Sequence, residues 1–148
     1  MKPFLAIGLG NPLMGDDGIG VRVARLLAAD GALADRLDAV CGGTDLIRYM
    51  DLMPGRDCVI LIDAAEGGEP GKLAVLDELP PDSGPESAHA LSPVRCLQLL
   101  RTISPALDAV RFTWVLVHIG AAELRPALSP EVETAVLDAA DAVRRLAA

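Results

Sequence analysis

Three side chains that could hold a metal ion or move a proton stand far apart along the chain: Asp17, Asp63 and His89. Two carboxylates and an imidazole can bind a divalent transition metal while leaving other coordination positions open. Such oxygen and nitrogen ligands accept nickel or zinc, whereas a closed structural zinc site requires four ligands, usually including thiolates. We therefore expect a metal-contacting site if the fold brings these three residues together.

Each of these residues also has a simpler explanation. Asp17 and its neighbour Asp16 precede a predicted helix, where an acid can satisfy the free amides and the helix dipole. Asp63 could end a strand and anchor a turn, and a single histidine in a loop, such as His89, is commonly solvated. His118 ends the predicted last strand and could approach the same edge of the fold, but we assign it a structural role.

The elements around the two aspartates predict where they lie. An apolar run over 4–7, stopped by Gly8, predicts a first strand, and helical spacing of apolar residues predicts a helix from Asp17 or Gly18 onward. The continuous apolar run over 58–62, bounded by acids, is typical of a central parallel strand. Asp17 is thus predicted to follow strand one, and Asp63 to end strand three.

The remaining pattern predicts an α/β fold. Further strands are predicted over 37–40, 72–76 (an edge strand) and 109–117, a short helix over 45–50, and helices from Ser92–Pro93 to about Ile103 and from Ser129–Pro130 to the end. Strands that alternate with helices indicate a mainly parallel sheet with helices on both faces. Ligands bind such sheets outside the carboxyl ends of the strands. The long loop over 77–91, which carries His89, is of a length that is often functional.

Composition limits the class of protein. The chain has 148 residues, which fits one domain over 1–148. A formal charge of -8 argues against nucleic acid and anionic membranes as partners, and no apolar run reaches the length of a membrane span.

The three cysteines, Cys41, Cys58 and Cys96, lack a CxxC pair and are predicted to be reduced core residues. Without a signal-peptide cleavage site after the first strand, we predict a cytoplasmic protein.

Other catalytic motifs are incomplete. The pair Gly8 and Gly10 follows a strand as in a dinucleotide-binding motif, but the third glycine position is Leu13. No phosphate-binding loop with Gly-Lys-Ser/Thr is present. Ser87 and Ser92 lack the strand–turn–helix context of a nucleophilic serine.

Five stretches in order resemble the hydrogenase maturation endopeptidases. Residues 8–21 read GLGNPLMGDDGIGV, which closely resembles the opening motif of that family. Further along the chain come GGT at 42–44, VILIDA at 59–64 followed by PG at 70–71, SAH at 87–89 and LSPEV at 128–132. The first motif is fairly specific, and the ordered set covers nearly the whole chain.

This resemblance implies a fold, a reaction and a site. The implied fold is a twisted five-stranded sheet between helices, and the implied reaction is removal of the C-terminal tail of a nickel-iron hydrogenase large-subunit precursor. Asp17, Asp63 and His89 fall at the positions that contact metal, which would be the nickel already carried by the precursor and bound only transiently by this protein. Either a metal-polarised carbonyl or water, or one aspartate acting as general base, could drive hydrolysis. We expect the protein to act as a monomer.

Two segments depart from the family pattern, and two alternative functions stay open. Cys41 stands where family members often carry Asp, and His118-Ile119-Gly120 replaces the usual Gln-Pro or Pro-Glu type of segment, so these positions could shape a different substrate groove. Peptidyl-tRNA hydrolases also begin with Gly-Leu-Gly-Asn-Pro, but their Thr-Arg-His-Asn stretch is absent and their substrate favours a basic surface. A non-catalytic chaperone for metal or hydrogenase precursor is the alternative from another class.

Overall fold

The computed structural model describes residues 1–77, 79–80 and 92–148, and the architecture within these ranges is α/β. The strands are β1 (Phe4–Leu9), β2 (Leu37–Gly43), β3 (Cys58–Glu66), β4 (Leu73–Leu76) and β5 (Arg111–Ile119). They form one sheet in the order β2-β1-β3-β5-β4. The first four strands of that order are parallel, and β4 is antiparallel to β5 at the edge. The predicted fold class is therefore confirmed.

Three α-helices and four 3-10 segments cover the sheet within the described residues. The helices are α1 (Ile19–Ala28), α2 (Pro93–Ile103) and α3 (Pro130–Leu146). The 3-10 segments are Gly15–Gly18, Gly31–Leu33, Ile47–Leu52 and Pro105–Ala109. None of the helices in these ranges is both long and apolar enough to cross a membrane.

Alternating side chains of the central strands build one core on each face of the sheet. Ile60 and Ile62 pack with α1 and α3 on one face. Val59 and Leu61 pack with α2 and with the 3-10 segments Ile47–Leu52 and Pro105–Ala109 on the other. Burial of both faces explains why β3 reads as an unbroken apolar run rather than as an alternating one.

The strand ends differ from the predicted ones: β1, β2 and β3 run further than predicted, β4 begins one residue later, and β5 is shifted by two residues along the chain. β3 continues to Glu66 because β5 extends beside it, with pairs from Asp63 opposite Leu116 to Glu66 opposite Ile119. Asp63 therefore lies inside β3 instead of ending it.

The prediction for the cysteines is right for Cys58 and Cys96, which are buried, and wrong for Cys41, which is exposed on β2. Cys41 lies near the carboxyl end of the edge strand β2. Its Sγ is 3.8 Å from the carbonyl oxygen of Val21 on α1, yet the residue remains exposed there.

Candidate active site

Asp17 and Asp63 lie at the carboxyl edge of the sheet, on neighbouring strands. Asp17 belongs to the 3-10 segment Gly15–Gly18, which follows β1, and Asp63 belongs to β3, which pairs directly with β1. The negative charge of Asp17 reaches Asp63 and contributes to raising its pKa. The structure thus brings these two predicted site residues together.

Glycines allow the start of α1 to lie against the strand ends. A Cβ on Gly20 would lie 2.2 Å from the carbonyl oxygen of Ile62 and 2.4 Å from that of Leu9. A Cβ on Gly8 would lie 2.1 Å from the carbonyl oxygen of Gly20. All three neighbours are backbone atoms that cannot turn aside. The glycines of the first motif therefore set how closely α1 approaches β1 and β3, and hence where Asp17 lies.

Asp17 fixes the loop that carries it. Its Oδ2 accepts a hydrogen bond of 2.8 Å from the backbone N–H of Asn11. The loop can fold back this tightly because Gly10 has φ of 115° and no Cβ, which would otherwise lie 1.9 Å from the carbonyl oxygen of Asp17. One carboxylate oxygen of Asp17 is thus engaged by the loop, and its other oxygen has no hydrogen-bond partner among the described residues.

Asp16 has a different role from the helix capping that the sequence suggests. It is only 5% exposed, and its carboxylate accepts hydrogen bonds from the backbone N–H and the hydroxyl of Ser129. Ser129 is the N-cap residue of α3, yet its hydroxyl makes no capping bond to that helix. Gly18 is the N-cap of α1 and also lacks a side-chain bond. Capping of α1 by Asp16 or Asp17 is therefore wrong, because their carboxylates bond elsewhere.

Backbone pairing strengthens this link between the first loop and the segment after β5. Met14 and Arg125 form a parallel bridge. The N–H of Gly15 donates to the carbonyl of Arg125 at 2.8 Å, and the N–H of Arg125 donates to the carbonyl of Leu13 at 3.0 Å. Arg125 also places its guanidinium 3.7 Å from Asp16. The loop that ends in Asp17 is therefore held on one side by α1 and on the other by the segment around Arg125, which lies between β5 and α3.

Asp63 is the acid at this edge whose pKa the fold shifts strongly. Burial raises the pKa of Asp63 to about 7; the N–H of Ala64, which donates to it at 2.8 Å, opposes this rise, and the charge of Asp17 adds to it. No lysine, arginine or histidine among the described residues forms an ion pair with either aspartate. Two adjacent acids without a countercharge, one of them desolvated, favour binding of a cation or a proton.

His89 lies outside the described residues, as does Ser87. The next described element in the chain, α2, begins at Pro93 with Ser92 as its cap, whose hydroxyl accepts from the N–H of Arg95 at 3.2 Å. The first turn of α2 lies at the same carboxyl edge of the sheet, because the thiol of Cys96 is close to Asp45 and Ile47, which follow the end of β2. Within the described ranges, no three His, Cys, Asp or Glu side chains are grouped to hold a metal ion.

His118 lies on β5, near the same edge. Its Nδ1 is 3.2 Å from the carbonyl oxygen of Gly67, in the turn that follows β3. Its backbone N–H donates to the carbonyl of Lys72, and its own carbonyl accepts from the N–H of Gly71, both at 2.8 Å. These contacts fix the ring and the backbone of His118 against the turn after β3 and the segment before β4.

Sequence reasoning missed Asp16 and Ser129 as partners. The two residues are 113 positions apart, and each has an adequate local explanation as a helix cap. The signal that could have indicated more was the adjacent acids Asp16 and Asp17, because a loop seldom needs two carboxylates for one helix end.

Proteins of known sequence and structure resemble this chain over nearly its whole length. Residues 21–146 match the family model described as hydrogenase maturation protease. Protein FrxA of Pyrococcus furiosus is 32% identical over 129 residues, which cover 83% of this chain and 89% of that protein. The hydrogenase 2 maturation protease of Escherichia coli is 30% identical over 150 residues, covering 95% of this chain and 87% of that protein.

Solved structures agree with the sequence relatives. The NiFe hydrogenase maturation protease HybD from Thermococcus kodakarensis superposes with a TM-score of 0.79 at 26% identity, and each chain is covered completely. The hydrogenase maturating endopeptidase HybD from E. coli gives a TM-score of 0.79 at 27% identity, covering 99% of this chain and 91% of that one.

Proposed function

This chain belongs to the hydrogenase maturation protease family and is therefore an endopeptidase, and we propose that it removes the C-terminal extension of a nickel-iron hydrogenase large-subunit precursor. The observation that carries the proposal is the pair of aspartates at the carboxyl edge of the sheet, which have no ion-pair partner among the residues that the structure describes. Burial and the charge of Asp17 raise the pKa of Asp63 to about 7. A nickel ion delivered by the precursor would supply the missing positive charge.

In this proposal Asp17, Asp63 and His89 contact the nickel of the precursor. Asp17 is held by the N–H of Asn11, so one oxygen is fixed and the other is free to meet the metal. His89 is assigned to the set by its place in the chain, three residues before Ser92, and α2 begins at this same edge. The nickel arrives with the substrate, as its cargo, and its charge identifies a precursor that is ready for cleavage.

We assign Asp63 the role of proton acceptor for the attacking water. The pKa of about 7 belongs to the metal-free protein. Nickel bound at this edge would lower it, so Asp63 would meet the water as a carboxylate that can accept its proton. The bound nickel would polarise the scissile carbonyl or the water. Asp63→Asn retains the size and shape of the side chain but cannot take up the proton, so we expect it to abolish cleavage while the protein still folds.

Mass spectrometry of a nickel-loaded large-subunit precursor from the same organism, before and after incubation, tests the proposal. We expect loss of a discrete C-terminal peptide with the wild type and with Asp138→Asn, a matched change on the exposed face of α3. No loss is expected with Asp63→Asn, or with nickel-free precursor. Full cleavage by Asp63→Asn would overturn the assignment of the site.

The chaperone alternative makes a different prediction in the same samples. A non-catalytic binder would retain the precursor in a pull-down and leave its mass unchanged. We also propose that the protein works in the cytoplasm as a monomer. Size-exclusion chromatography with light scattering checks the monomer, and a stable dimer would contradict it.

A further inference from the structure

We propose that His118 is a substrate-positioning residue, whose ring nitrogen Nε2 accepts a backbone N–H of the precursor segment lying beside Asp63. This inference rests on the proposed endopeptidase function and adds a contact outside the three metal-contacting residues. It departs from the structural role that the sequence alone suggests for His118.

The register of the sheet places His118 diagonally across from Asp63, on the neighbouring strand. Asp63 pairs with Leu116 and Ala65 pairs with His118, so His118 is one strand across from Asp63 and two residues further along. From the spacing of strands and the rise per residue, their Cα atoms are roughly 8 Å apart. Trp114 and Leu116 lie on the α2 face of β5, and alternation puts the His118 side chain on that face too. Leu61 and Asp63 share the same face of β3, so the two polar side chains project to one side of one edge.

The imidazole is held in a fixed position. The turn after β3 bends through two glycines with positive φ, 90° at Gly67 and 70° at Gly68. Nδ1 lies 3.2 Å from the carbonyl oxygen of Gly67, and a Cβ on Gly68 would come within 3.0 Å of the same nitrogen. The turn therefore lies directly against the ring, and the backbone of His118 is bonded to Lys72 and Gly71 on the other side.

This anchoring determines what the free side of the ring can do. A carbonyl oxygen only accepts, so Nδ1 carries the hydrogen and donates to Gly67, and Nε2 of the neutral ring is left as an acceptor. Within the described ranges Nε2 has no partner, and the side chain is half-buried rather than fully exposed. A half-buried, oriented acceptor on the neighbouring strand, roughly 8 Å along the same face from the proposed reacting carboxylate, is suited to a peptide N–H of a bound segment. His118 lies in the segment 118–120, where the sequence departs from the family pattern. The proposed contact would therefore be specific to this chain and its substrate.

Two amide substitutions separate this role from a structural one. The amide of Asn reaches the place of Nδ1 and can keep the bond to Gly67, but it offers nothing at the place of Nε2. The longer Gln reaches the place of Nε2 with an acceptor oxygen, but it loses the bond to Gly67. His118→Ala removes both groups.

Initial rates of precursor cleavage, measured by mass spectrometry over a range of nickel-loaded precursor concentrations, give KM and kcat for the wild type and the three variants. We expect His118→Asn and His118→Ala to raise KM about tenfold, as for one lost hydrogen bond of about 1.4 kcal/mol, with kcat little changed. His118→Gln should recover most of the wild-type KM, even though its thermal midpoint falls with that of His118→Ala.

The opposite order would overturn the inference: wild-type KM in His118→Asn, with the KM of His118→Gln raised as in His118→Ala, would mean that only the bond to Gly67 matters. Wild-type KM in all three variants would equally overturn it. If the wild type itself leaves the precursor uncut, the proposed function fails, and this inference fails with it. The wild-type reaction thus distinguishes the two failures.

Discussion

Asp16 accepts two hydrogen bonds from Ser129 across 113 residues of chain, at 2.6 Å from the backbone N–H and 2.8 Å from the hydroxyl. The carboxylate is almost completely buried. It joins the loop that carries Asp17 to Ser129, the N-cap residue of α3. The position of one proposed site residue therefore depends on the last helix of the chain.

Asp16→Ala should lower the free energy of unfolding by roughly 2 to 3 kcal/mol, because hydrogen bonds to a buried charged group are lost and the Ser129 donors are left unpaired. Urea unfolding followed by circular dichroism measures this change. Precursor cleavage should fall too, since the Asp17 loop loses its attachment to α3. Asp35→Ala, at an exposed acid, should change both by far less; an equal effect of the two variants would show that the Ser129 bonds do not matter.

Gly20→Ala tests the close approach of α1 to the sheet. The added Cβ would lie 2.2 Å from the carbonyl oxygen of Ile62 and 2.4 Å from that of Leu9, so the helix must move away from the strands. Overpacking of this kind costs about 1 to 3 kcal/mol, and the shift should displace Asp17 and reduce cleavage. Gly31→Ala is the control, because nothing lies within 4 Å of its Cβ position. Unfolding midpoints of the two variants that agree with each other would contradict the role of Gly20.

Asp63→Asn should make the metal-free protein more stable at pH 8 than the wild type. Burial raises the pKa of Asp63 to about 7, from an ordinary value of 3.8. The folded protein therefore binds a proton there that the unfolded chain has released. Stability from this group is complete below about pH 4 and is lost as the pH rises toward 7. The loss is on the order of 4 kcal/mol at pH 8.

Urea unfolding at pH 4 and pH 8 in the presence of EDTA measures this difference. The gap between Asp63→Asn and wild type should be several-fold larger at pH 8 than at pH 4. Asp138→Asn, an exposed acid on α3, should give no such change with pH. A pH-independent gap for Asp63→Asn would show that Asp63 titrates normally in the folded protein.

Asp38 should make the folded protein lose stability as the pH falls, which is the opposite of the effect of Asp63. Arg56, whose guanidinium donates to it at 2.6 Å, and Lys2 at 2.9 Å hold the pKa of Asp38 below its usual value. Its stabilising contribution is therefore present above about pH 4 and is lost as the pH falls through the lowered pKa. Between pH 5 and pH 2.5 the wild type should lose more stability than Asp38→Asn does. Asp51→Asn, at an exposed acid, should follow the wild type; parallel curves for all three proteins would refute the coupling.

The elements were predictable where neighbouring residues decide them. The apolar run of β3 and the Ser-Pro starts of α2 and α3 were predicted correctly, because an unbroken apolar run and a proline at the first helical position are signals that neighbouring residues carry. Strand ends were less predictable. β3 runs on past Asp63 to Glu66 because β5 continues beside it, and nothing within residues 58–66 states the length of that partner.

The candidate site likewise has parts that the sequence predicts and parts that only the tertiary structure decides. The sequence by itself determined that Asp17 follows the first strand and that Asp63 belongs to the carboxyl half of a neighbouring parallel strand, and such strands share one carboxyl edge. The tertiary structure alone decided that Asp16 bonds Ser129 and that the ring of His118 is held by Gly67, because these contacts join segments 113 and 51 residues apart. It also decided the raised pKa of Asp63, since desolvation depends on every segment that packs around a carboxylate. Local sequence specifies which groups are available, and packing of distant segments fixes their partners and their charge.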